Sequence, residues 1–166
     1  MIFDEIIPET INFETVSGEY IAKCLRLNIP PGQLPQCGRF SNDQYFMTAT
    51  VDQSRYRLFL SRIDYIAVLL NHYFSENNIR HDPYVRLHLQ NFKGVPIENL
   101  KGCPRLAEVS PTPEEIKNAV KSKLPHLKIF TDESNVTFVA REDEMYGNSD
   151  TSEDFLARKL YLNPNC

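Results

Sequence analysis

The chain has 166 residues, 42% of them hydrophobic and 24% charged, with a formal net charge of −4. That length suits one domain able to bury its own core without staples. The mild acidity excludes a global pull toward nucleic acid or anionic lipid, so any basic surface must be local.

The opening "MIFDEIIPET" has no basic flank and no long apolar stretch, so no secretory leader is expected. The longest apolar run, "YIAVLL" at 65–70, is too short to span a bilayer. The 4 cysteines, Cys24, Cys37, Cys103 and Cys166, are scattered, with no close pair. A cytoplasmic chain with reduced thiols, no structural metal and no cofactor is the expectation.

In chain order, "EYIAKCLRLNI" (19–29) alternates apolar and polar residues and predicts a half-buried strand. The Pro- and Gly-rich segment 30–43 predicts a loop. "QYFMTATV" and "RYRLFLS", joined by "DQSR", predict a hairpin, with Tyr45, Met47, Ala49 and Val51 facing inward. Helical spacing then runs from Ile63 to Phe74, predicting a helix over 62–77 behind Ser61. "PYVRLHLQNF" returns to a period of two and predicts a strand with Val85, Leu87 and Leu89 inward.

A long punctuated loop is expected over 93–111. "TPEEIKNAVKSKL" carries the clearest local signal: Thr112 as N-cap, Pro113 at the first helical position and Glu115 closing a capping box. "LKIFT" and "VTFVAR" predict two strands around "DESN". The acidic, polar stretch 142–166 reads as a tail, with "FLARKLYL" forming a short helix that docks back.

The predicted fold is therefore α+β, in the order β-β-β-α-β, long loop, α-β-β. The sheet is largely antiparallel, helix 62–77 packs on one face of it, and residues 1–141 form one domain.

Candidate chemistry centres on the outward sheet face. Arg55, Arg57 and Phe59 from one strand would meet Tyr84, Arg86 and His88 from a later one. Cations that follow phosphates, interleaved with aromatics that stack on bases, are what single-stranded nucleic acid requires. The expectation is a non-enzymatic module binding single-stranded nucleic acid through these six residues. The alternative is a protein-binding adaptor or inhibitor acting through 30–43, 93–111 or the acidic tail. A third reading is a small thiol enzyme using Cys103, which lies between Lys101 and Arg105. No membrane partner is expected, and the oligomeric state is left open.

Overall fold

The computed structural model describes residues 6–24, 37–40, 45–50, 55–59 and 61–143. The predicted loop before residue 37, residues 51–54 between the two hairpin strands and the tail beyond residue 143 lie outside the described residues. The α+β class holds, but with two antiparallel sheets instead of one.

The first sheet contains β1 (Glu14–Ser17), β2 (Cys37–Phe40), β3 (Tyr45–Ala49) and β4 (Arg55–Phe59), in the order β1-β4-β3-β2. Strands β3 and β4 pair as the sequence predicts, with Phe46 opposite Phe59 and Thr48 opposite Arg57. Strand β2 falls inside the segment read as a loop. Its pairing with β3 supplies the backbone partners that local composition could not reveal.

The stretch read as a strand over 19–29 is, where described, helix α1 (Gly18–Cys24). Ser17 Oγ accepts the Tyr20 N–H, which caps the first turn and commits the chain to a helix. One large side chain of this helix, Ile21, is fully buried in a small core with Met47, Ala49, Tyr56 and Leu58. A single anchor is compatible with either period, so alternation misled here.

The opposite face of the sheet belongs to a much larger core. Phe46 and Phe59 are fully buried beneath α2 (Arg62–Tyr73), with ring centroids 4.9 and 5.9 Å from that of Tyr65. The predicted helix 62–77 breaks after Tyr73. Ser75 then accepts the Asn78 N–H and starts α3 (Glu76–His81).

Residues 83–92, read as a strand, form helix α4 (Pro83–Phe92). Asp82 Oδ1 accepts the Tyr84 and Val85 N–H groups, and Pro83 occupies the first turn. Tyr84, Val85, Leu87, His88 and Leu89 are all buried, which is the footprint of a helix lodged in a core.

The second sheet contains β5 (Val95–Pro96), β6 (Leu127–Thr131) and β7 (Thr137–Arg141), in the order β5-β7-β6. The segment 93–111, read as loop, supplies β5 and the single-turn helices α5 (Ile97–Leu100) and α6 (Pro104–Ala107). Helix α7 (Pro113–Lys123) shows both hydrogen bonds of the predicted capping box. It packs on α2: Arg62 pairs with Glu115 at 2.6 Å, and Lys123 reaches the buried Asp64 at 3.1 Å. One continuous core runs from Phe46 and Phe59 through the helices to Val95 and Val139.

Candidate nucleic-acid interface

The six residues singled out in the sequence divide between two elements. Arg55, Arg57 and Phe59 lie on β4, while Tyr84, Arg86 and His88 lie on α4. Strand β4 pairs with β1 and β3, so the sheet does not bring the two groups together. Arg55 is exposed, and the Arg57 guanidinium lies 5.8 Å over the Phe13 ring. Phe59, expected to stack on a base, is fully buried. Arg86 Nη1 donates to the Arg80 carbonyl at 3.0 Å and the Ile79 carbonyl at 3.4 Å, capping the end of α3.

Tyr84 and His88 enter a more informative arrangement. They stand one turn apart, with ring centroids 4.3 Å apart, and Phe92 follows one turn later at 6.3 Å from His88. This makes an aromatic ladder at i, i+4 and i+8. Its first two rungs are buried, and its last, Phe92, is 49% exposed.

Polar contacts hold the inner rungs. His88 Nδ1 lies 2.8 Å from the Tyr84 carbonyl, an acceptor, so that nitrogen carries the proton. Nε2 is then the acceptor for Asn99 Nδ2 at 3.3 Å, which also donates to the Tyr84 hydroxyl at 2.8 Å. Burial lowers the His88 pKa from 6.5 to about 4, with the Tyr84 carbonyl opposing part of that shift. The Tyr84 phenol is pushed up, first by burial. This knot is a rigid base for Phe92 and has no charge of its own at neutral pH.

Beyond Phe92 the backbone turns sharply. Lys93 caps α4 at φ 62°, the left-handed region that normally favours glycine. Gly94 then lies flat against the second sheet. A Cβ there would meet Phe138 Cβ and the Val139 carbonyl at 3.0 Å and Phe130 Cε1 at 3.1 Å. Phe130 and Phe138 face each other across β6 and β7, stacked at 5.0 Å and 8°.

Since two residues span at most about 7 Å, Phe92 is held close to this pair. The strand period puts Lys128 on the same side of β6 as Phe130. The Asp132 N–H donates to the Val136 carbonyl at 3.0 Å, extending the ladder and placing the 39% exposed Val136 on that side too. Phe92 and Phe130 are each open in part, Lys93 directly follows Phe92 in the chain, and Lys128 stands one strand period before Phe130, which makes this corner the candidate interface. Sequence reading missed it because Phe92, Lys93 and Phe130 come from a helix end and a distant strand. The one local signal was a Lys–Gly pair directly after an aromatic.

Cys103 is fully buried in the main core and disulfide-bonded, where four reduced cysteines were expected. Its sulfur lies 3.9 Å from the Asn99 carbonyl. Sulfur held in a disulfide offers no thiolate, so this geometry does not supply a nucleophile. Among the described residues, no group of three or more His, Cys, Asp or Glu could hold a metal ion, and no helix is long and apolar enough to cross a membrane.

No family model, no curated protein and no solved structure matches the chain.

Proposed function

We propose that the protein is a non-enzymatic module that binds single-stranded nucleic acid. The surface is the one built by Phe92, Lys93, Phe130 and Lys128, not the β4 face. The observation that carries this reading is Lys93 in a left-handed conformation beside an exposed aromatic. A side chain kept where glycine would relieve strain points to a use for that side chain. Exposed rings next to cations fit a strand whose bases stack and whose phosphates need neutralising.

Fluorescence anisotropy with labelled single-stranded RNA and DNA across a salt series tests the proposal. Binding should weaken steeply as salt rises. Phe92→Ala should cost roughly 5- to 100-fold in affinity, the loss of about one stacked base. Arg57→Ala should leave affinity nearly unchanged. No binding at low salt would sink the reading. The same apolar surface would then be a protein-docking site, the second reading, which the exposure of Phe92 and Val136 favours.

A further inference from the structure

Strand β6 forms one edge of the second sheet. Which of its main-chain groups face that edge follows from the ladder. The Glu142 N–H donates to the His126 carbonyl at 2.8 Å, and the Asp132 N–H donates to the Val136 carbonyl at 3.0 Å. Both bonds sit at even-numbered positions, His126 and Asp132, of one continuous antiparallel register. Opposed residues in such a ladder alternate between bonded and non-bonded pairs. Lys128 and Phe130 therefore bond β7, while Leu127, Ile129 and Thr131 turn their N–H and C=O groups outward.

The Leu127 N–H donates to the Leu124 carbonyl at 3.1 Å, as an outward group can. Among the described residues, the Leu127 carbonyl and both main-chain groups of Ile129 and Thr131 meet no hydrogen-bond partner. No proline or bulge interrupts 127–131, and an open groove of about 380 Å³, lined in part by Val120, Leu124 and Ile129, lies beside this edge. A regular edge with unmet donors and acceptors is a template for another strand.

We infer that β6 pairs antiparallel with β6 of a second copy of this chain, joining two three-stranded sheets into one. The strand is complementary to itself. With Ile129 on the twofold axis, its N–H and C=O exchange bonds with those of Ile129 in the second copy, and each Thr131 N–H meets the other copy's Leu127 carbonyl. Leu127 then faces Thr131, and Lys128 faces Phe130, so no like charges stand directly opposed. Opposed residues share a face of the sheet, which brings Ile129 of the second copy to the groove side of the edge. The pairing uses only main-chain groups of Leu127, Ile129 and Thr131, and Lys128 keeps its own contacts. One short strand pair buries little surface, so the dimer is weak and depends on concentration.

Sedimentation equilibrium of the full chain from about 1 μM to about 1 mM spans the range of weak complexes. The mass should rise from one chain toward two. Amide hydrogen exchange at the two ends of that range locates the contact. Exchange at Ile129 and Thr131 should slow about 3- to 10-fold at the higher concentration, the occupancy effect of a weak dimer. Lys128 and Phe130, already bonded to β7, should stay protected throughout. Thr131→Pro removes an outward N–H at an edge position that tolerates proline, leaves the β6–β7 bonds in place and should keep the chain monomeric. If that variant fails to fold, the wild-type exchange pattern still decides.

A single-chain mass at every concentration overturns the inference. So does a dimer in which Ile129 and Thr131 exchange fast, since the contact then lies elsewhere. Slow exchange of both amides at the lowest concentration overturns it too, because another part of the same chain then covers the edge. None of these readouts involves an oligonucleotide, so the dimer stands or falls separately from the nucleic-acid reading.

Discussion

His88 shows how one buried side chain couples stability to pH. Its ring is 2% exposed and neutral, with Nδ1–H donated to Tyr84 and Nε2 facing an Asn99 amide donor. Protonation would set two donors against each other. The folded pKa of about 4 lies below the ordinary 6.5, so between those values the unfolded chain binds a proton that the folded chain refuses. Stability is complete above about pH 6.5 and declines as pH falls toward 4, by up to about 3 kcal/mol. Burial lowers the His126 pKa as well, in the same direction. Thermal melts from pH 7.5 to 4.5 should show this decline, and His88→Gln should flatten it. An unchanged slope in the variant would assign the effect elsewhere. Lys93 gives a second expectation at this scale. Lys93→Gly relieves the left-handed backbone and should raise stability by about 1 kcal/mol. The same substitution should weaken oligonucleotide binding and lower its salt slope. A gain in stability without loss of binding would make Lys93 a structural accident.

Helix α7 was legible before any coordinates because its signals are local. Thr112, Pro113 and Glu115 lie within four residues, and both capping hydrogen bonds form between them, at 3.0 and 3.1 Å. Thr112→Ala should cost about 1 kcal/mol in urea denaturation, with the slope against denaturant unchanged. The same N-cap and proline pair stands at Asp82 and Pro83, and α4 does start there. Alternating Val85, Leu87 and Leu89 obscured it, since a helix with a broad buried face accommodates residues two apart as well as residues at helical spacing. How α7 docks was not legible. Asp64 of α2 is buried with Lys123 at 3.1 Å and the Asn12 N–H at 3.0 Å. Asp64→Ala would strand the lysine and the amide together, at a cost of about 3 kcal/mol. The double variant with Lys123→Met should recover part of that loss; no recovery would show that the pair itself contributes little.

Across the whole molecule, two sheets share one core, and side chains from one region complete the backbone of another. Arg141 at the end of β7 donates to the Phe74 carbonyl at the end of α2, at 2.7 Å. Arg62 at the start of α2 donates to Glu115 and to the Val109 carbonyl. Such links tie the second sheet, α7 and the end of segment 93–111 to the central helix, and burial explains why that segment is structured although its composition reads as loop. Its short elements could not stand alone, and Leu100, Cys103, Leu106 and Val109 hold them by burial in the common core.

The sequence by itself determined the α+β class, the β3–β4 hairpin, the central helix, the capped helix at 113–123 and the closing hairpin. Each is set by spacing and caps within about a dozen residues, and such signals survive without tertiary context. Tertiary structure decided the rest. It buried Phe59 under a helix, turned 83–92 into a helix, split the strands between two sheets, and brought Phe92 and Lys93 beside Phe130. Those outcomes depend on which apolar faces find each other across long stretches of chain. Local periodicity records that a face is apolar, but not what will cover it.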